Sequence, residues 1–128
     1  MKKKILIVLA NYYKDISEGL LLSSKKNRPK SLFVKIIEVP GVFEIPITIK
    51  KNIKKYDAFI ALGCVIKGQT PHFDYISQSS INKIMSLSVD NKKPIGNGII
   101  TCFNLKQAKV RKKKGAEATK AVLSVLSQ

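Results

Sequence analysis

His72 is the only histidine in the chain, and it ends the segment Cys64-Val65-Ile66-Lys67-Gly68-Gln69-Thr70-Pro71-His72. Imidazole is the side chain whose unperturbed titration lies near neutrality, which suits it to carrying protons. Before it, Gly68, Gln69 and Thr70 close an apolar run and open what the pattern predicts to be a helix. Thr70 reads as its N-cap and Pro71 as its first residue. The free N–H groups of such a helix start, with the dipole behind them, form an anion site, and glycine at 68 lets a phosphate approach the backbone. The same residues read equally as an ordinary strand-to-helix turn, and a lone histidine as a structural or solvated one. One histidine without clustered carboxylates argues against a metal site.

Other side chains allow two readings each. Glu44, in Val39-Pro40-Gly41-Val42-Phe43-Glu44, falls near a helix start, where it complements the dipole or accepts hydrogen bonds from a polyhydroxyl ligand. Tyr12, after the first apolar run, packs in the core or forms a platform for a flat heterocycle. Arg111 is solvated or forks onto a phosphate. Cys64 and Cys102, the two cysteines, are too few for a disulfide framework or a zinc site. Both lie in strand-like runs, where a free cysteine behaves as a small buried hydrophobe.

The elements that must position these groups are legible as alternating patterns. Residues 4–10, Lys-Ile-Leu-Ile-Val-Leu-Ala, form a continuous apolar run, as a strand covered on both faces requires. Asp15 to about Ser24 is expected to be helical with Leu20, Leu21 and Leu22 inward, and Asn27-Arg28-Pro29 to break it. Phe33 to Val39 is the second predicted strand. Phe43 to about Lys54 is the second helix, with Ile45, Ile49 and Ile53 on one stripe and Pro46 in the first turn. Ala58 to Ile66 is the third strand, and a long helix follows from about Thr70 to Val89. Ile95 to Thr101 is a short strand loosened by Gly96 and Gly98. Leu105 to Lys112 and Ala116 to Leu126 are two last helices separated by Gly115. Such alternation implies one domain over residues 1–128, a three-layer α/β/α sandwich around a four-stranded parallel sheet, flavodoxin-like in class. Ligands of such sheets bind beyond the carboxyl ends of the strands.

Composition narrows the function classes. The chain has 128 residues, of which 45% are hydrophobic, enough for one globular core. No run of about 18 apolar residues offers a membrane span. Met1-Lys2-Lys3-Lys4 followed by Ile5 to Ala10 mimics a signal peptide, but its apolar part is too short and no cleavage site closes it. It reads as a first strand, and the protein as cytoplasmic. The net charge is +16, from 24 basic and 8 acidic residues. The bases are 22 Lys and 2 Arg, and arginine is the residue suited to planar recognition of phosphates and bases. With lysines spread along the chain, an AT-rich codon bias accounts for the number. Nucleic acid is therefore not expected as the main partner, although the positive field attracts phosphate esters.

Four segments, in order along nearly the whole chain, resemble the lumazine synthase family. They are Val39 through Pro46; Tyr56-Asp57-Ala58 through Gly63-Cys64-Val65-Ile66-Lys67-Gly68-Gln69-Thr70-Pro71-His72-Phe73-Asp74-Tyr75; Pro94-Ile95-Gly96-Asn97-Gly98-Ile99-Ile100-Thr101; and Gln107-Ala108 through Lys114-Gly115-Ala116-Glu117-Ala118. The resemblance implies a transferase of riboflavin biosynthesis. It condenses 5-amino-6-(D-ribitylamino)uracil with 3,4-dihydroxy-2-butanone 4-phosphate to 6,7-dimethyl-8-ribityllumazine, releasing phosphate, without metal or organic cofactor. By the same resemblance His72 transfers protons, and Tyr12, usually Phe in the family, stacks on the pyrimidine. Val42, Phe43 and Glu44 line the ribityl chain, and Cys64, Val65 and Ile66 read the pyrimidine edge. Gln69 and Thr70 hold the phosphate. Asn97 and Arg111 enter from a neighbouring subunit, with Arg111 on the phosphate, and Lys114 lies near the pyrimidine.

The resemblance also implies a homo-oligomer, a pentamer or a sixty-subunit capsid, with sites between subunits and no nucleic-acid or membrane partner. Three departures from the family pattern are expected. No extension is read before the first strand, the stretch between Arg111 and Lys114-Gly115 is several residues shorter, and the first helix and its following loop look short. They leave a second reading, a catalytically reduced flavin- or lumazine-binding relative on the same scaffold.

Overall fold

The structure, a computed structural model, describes residues 2–26 and 28–128. Four strands, β1 (Lys4–Ala10), β2 (Phe33–Val39), β3 (Ala58–Ile66) and β4 (Ile95–Cys102), form one parallel sheet in the order β2-β1-β3-β4. Helices α1 (Lys14–Lys25), α2 (Ile45–Lys51), α3 (His72–Asn91), α4 (Leu105–Lys109) and α5 (Lys114–Leu126) cover it. A 3-10 turn, Val42–Glu44, leads into α2. This is the flavodoxin-like sandwich that the alternation implies. Among the described residues, no helix is long and apolar enough to cross a membrane.

The two faces of the sheet have separate cores. Ile5, Ile7, Leu9, Ile60 and Leu62 meet Ile16 and Leu20 of α1 and Ala118 and Val122 of α5. Leu6, Val8, Phe59 and Ala61 meet Ile45 and Ile49 of α2 and Ile84 and Leu87 of α3. Alternate residues of β1 and β3 thus face opposite layers, which is why both read as unbroken apolar runs. Each fully buried aliphatic side chain contributes about 1.5–3 kcal/mol.

The structure moves several expected boundaries. Asn27 lies outside the described residues, as does Met1; α1 stops at Lys25. Leu20 is buried but Leu22 is 74% exposed, since consecutive helical residues are about 100° apart and three in a row cannot share one face. The second helix is α2 alone, preceded by the 3-10 turn and ended at Lys51. Helix α3 begins at His72, with Pro71 and not Thr70 at the cap position, and runs on to Asn91. Proline fixes its own φ and biases the preceding residue towards extended backbone, so Thr70 stays outside. Strand β4 extends to Cys102, and α4 is shorter than expected.

Two glycine readings change more. Gly96 does not loosen β4: a Cβ there would strike the Ala118 carbonyl and Val122 of α5, so glycine lets α5 seat against the strand. Gly115 does not separate two helices. It lies in the first turn of α5, buried, where a Cβ would strike the Leu20 carbonyl oxygen of α1. The separation falls at 110–113 instead. Alanine in place of helical glycine normally gains up to about 1 kcal/mol, but overpacking against backbone costs about 1–3 kcal/mol. Gly115→Ala should therefore lower the urea midpoint; an unchanged or higher midpoint would show that α1 and α5 are not in such close contact.

Candidate active site

Strand β3 is longer than β1 at the carboxyl edge. The β1·β3 pairing ends at Leu9↔Leu62, whereas β3·β4 pairing continues to Ile66↔Cys102. Residues 63–66 therefore lack a strand partner on the β1 side. This is the point where the strand order reverses, with β2 to one side of β1 and β3 to the other. A cleft of about 510 Å³ opens there, lined by Tyr12, Val42, Phe43, Cys64, Val65, Ile66 and His72, together with Tyr13, Gly41 and Ile76. Its size is within the range of small-molecule sites.

Each wall follows from local sequence. The loop after β1 is tied to β2 by Asn11 N–H donating to the Val39 carbonyl (3.0 Å) and Asn11 Nδ2 to Glu38 Oε1 (3.1 Å). The buried Ser17 hydroxyl donates to the Ala10 carbonyl and fixes the start of α1 to the end of β1. Tyr12 is left 74% exposed, its ring edge-on to Tyr13 at 4.9 Å. Val42 is anchored in the core while Phe43 points out, 63% exposed. Glu44 does not line this cleft. It borders an adjoining groove of about 720 Å³ between α2 and α3, which Phe43 shares.

His72 is solvent-exposed on the first turn of α3. Thr70 Oγ1 accepts a long hydrogen bond from its backbone N–H, at 3.4 Å. Gln69 and Thr70 occupy the exposed turn leading to it and line none of the clefts described here. A Cβ on Gly68 would meet nothing within 4 Å, so packing inside this chain does not demand glycine there. The Lys67 ammonium lies 5.4 Å from the Phe103 ring centroid, a cation–π arrangement that draws its charge away from the cleft.

The cations expected at the site lie elsewhere. Asn97, Arg111 and Lys114 line a second cleft of about 530 Å³ with Ile99, Thr101 and Val110, and this cleft shares no residue with the first. Asn97 Oδ1 accepts from the Ile99 N–H at 3.0 Å. The expected residues thus divide into an apolar and aromatic half holding the imidazole and a basic half on the β4 side. Tyr13, Gly41 and Ile76 were missed by sequence reasoning. Ile76 is four residues after His72 and so shares its helical face, a signal masked by its place in an apolar stripe.

Cys64 and Cys102 are free and buried, on the neighbouring strands β3 and β4. Burial first, then the neighbouring thiol, pushes Cys64 up to about 12. Burial also raises Cys102, against the lowering effect of Arg111. Tyr13 is raised too, by burial and then by Cys64. The thiolate is the reactive form, and a raised value keeps Cys64 neutral up to strongly alkaline pH. At pH 8 the native protein should react with a chromogenic disulfide far more slowly than the unfolded chain; equal rates would contradict the burial of the pair. Among the described residues, no three His, Cys, Asp or Glu side chains gather as metal ligands.

Comparison with known proteins bears on the whole chain. The profile of the family described as 6,7-dimethyl-8-ribityllumazine synthase matches residues 2–128. A 6,7-dimethyl-8-ribityllumazine synthase 1 of Rhodopseudomonas palustris is 40% identical, covering 96% of this chain and 83% of its own length. The Bartonella bacilliformis synthase is 43% identical over 87% of this chain and 76% of its own. That of Corynebacterium kroppenstedtii is 35% identical over 94% and 80%. With the cleft at the strand switch point and similarity along its whole described length, the chain belongs to the 6,7-dimethyl-8-ribityllumazine synthase family.

Proposed function

We propose that this chain catalyses the lumazine synthase reaction at a site completed by a second copy of itself. It is a transferase of riboflavin biosynthesis that condenses 5-amino-6-(D-ribitylamino)uracil with 3,4-dihydroxy-2-butanone 4-phosphate. The observation that supports the site assignment is the convergence of Tyr12, Phe43, the free edge of β3 and His72 on one cleft. The pyrimidine lies against the Tyr12 ring, and the unpaired backbone at Cys64, Val65 and Ile66 reads its edge. The ribityl chain runs along Val42 and Phe43 towards Glu44 in the adjoining groove. The ketone phosphate places its phosphate at the Gln69–Thr70 turn, beside the start of α3, where the Phe73 and Asp74 N–H groups precede the first intrahelical bond, from Tyr75.

The chemistry then needs little beyond juxtaposition and proton transfer. The pyrimidine amine attacks the ketone to give an imine, phosphate leaves, and the ring closes on the ribityl-bearing nitrogen. Holding both substrates together replaces a large entropic barrier. His72 moves protons around imine formation and elimination.

The lining of the cleft contains no lysine or arginine, so one chain leaves the phosphate without a cationic partner. Asn97, Arg111 and Lys114 face a cleft of their own and serve the neighbouring protomer, with Arg111 on its phosphate. This is a heterologous, ring-closing contact, and a pentamer at least is the assembly in this reading. Exposed apolar side chains on the 3-10 turn, α2 and α3, Phe43, Ile47, Met85 and Val89, supply surface for such packing. Two free thiols fit a reducing compartment, and the reading places the enzyme in the cytoplasm.

His72→Ala should lower kcat by about 10²–10⁴-fold, with KM changing much less, in an assay of lumazine fluorescence; an unchanged kcat would remove the imidazole from the mechanism. Arg111→Ala alone should also be poorly active. Mixed and reassembled with His72→Ala subunits, it should regain activity at about a quarter of the sites, those pairing an intact imidazole with an intact neighbouring guanidinium. Absence of any recovery would place both groups in one protomer.

A further inference from the structure

All four strands start at one edge of the sheet, opposite the cleft. The segments that reach this edge are 2–4, 25–26, 28–30, 50–57 and 90–93. Together they carry thirteen of the 24 basic side chains and two of the 8 acidic ones, a net +11 out of +16. They are adjacent in space. The Phe33 N–H donates to the Lys3 carbonyl (2.9 Å), the Asp57 N–H to the Lys4 carbonyl (2.8 Å), and Lys93 Nζ to the Ile53 carbonyl (2.6 Å). Twelve of the thirteen basic residues are exposed; Lys93 is half-buried.

Codon bias sets how many lysines the chain has, but not where they lie. Complementing helix C-termini accounts for Lys25, Lys50 and Lys51. It does not account for Lys2, Lys3, Lys30, Lys54 and Lys55, which lie outside every helix. So many like charges on one face repel each other and destabilise the fold, and a polyanion relieves that repulsion.

We propose that this amino edge docks on the phosphate backbone of double-stranded nucleic acid, irrespective of sequence. Lysine supplies point charges for phosphates, and the near absence of arginine argues only against reading bases. Among the described residues, Phe33, 46% exposed, is the one large exposed ring at this edge, and they offer no row of aromatics for stacking single-stranded bases. Helices α1, α2 and α3 reach the edge end-on, at their C-termini. None lies flat to sink an apolar face into a bilayer, the device that interfacial membrane binding uses. The inference does not depend on the condensation reaction, which takes place at the opposite edge.

The test is fluorescence anisotropy of a short labelled DNA duplex of random sequence, titrated with the full chain at several salt concentrations. A variant with Lys26, Lys30, Lys54 and Lys55 replaced by Gln removes four exposed charges from the edge. A control with Lys83, Lys106, Lys109 and Lys120 replaced by Gln removes four exposed charges elsewhere, and thermal melting checks that both fold. The wild type should bind at about 0.15 M salt. The edge variant should weaken binding at least about tenfold and flatten the logarithmic salt dependence by about three to four, while the control changes affinity less than about threefold. Equal weakening by both variants would reduce the effect to net charge and overturn the proposal. So would absence of binding by the wild type at that salt, or tighter binding to phosphatidylglycerol vesicles than to the duplex at equal phosphate concentration.

Discussion

A parallel sheet delivers every strand end to the same edge, and the uneven lengths of β1 and β3 there make the site. Where β1 stops at Ala10, four residues of β3 continue with one side of their backbone free of the sheet. A buried backbone edge of this kind must find partners, so it either meets water or serves as a template for a heterocycle with matching donors and acceptors. The turns after β1, β2 and β3 rise around it and bring an exposed ring, a second ring and the imidazole to one place. What the sheet supplies here is geometry: an unpaired backbone edge beside two rings and one imidazole.

The sequence revealed the sheet better than the helices. Residues 4–10 and Ala58 to Ile66 match the observed strands end to end, because a strand covered on both faces leaves an uninterrupted apolar run with sharp polar limits; Phe33 to Val39 matches as well, although it is an edge strand interrupted by Lys35 and Glu38. Helix ends are set by cap geometry and by contacts distant in sequence, which a local pattern does not contain. Gly115 shows why. Read locally, glycine ends a helix; in the fold it lies inside α5, because the backbone of α1 lies directly against it. Leu22 shows the opposite error, an apolar residue assigned inward by type although its angle on the helix points it outward.

The site was legible in outline for the same reason. Residues of the cleft come from contiguous motifs at strand ends, and seven of the expected ones share it. Tyr13 and Ile76 escaped notice because their neighbours Tyr12 and His72 carried the stronger chemical signal. The placement of Asn97, Arg111 and Lys114 in another cleft was not legible, because the distance between separate elements is a property that no periodicity within the sequence expresses.

The short connection at 110–113 has a mechanical meaning. The aliphatic stem of Lys112 lies across Gly19 of α1, where any side chain on the glycine would meet it, while Gly115 is pressed against the same helix. Arg111 and Lys114 are thereby mounted on the α1–α5 layer, whereas His72 rides on α3 in the opposite layer. Heat or a core substitution that loosens one layer will shift Arg111 and Lys114 without disturbing His72, or the reverse. The two groups of side chains are therefore separable by where the scaffold is softened.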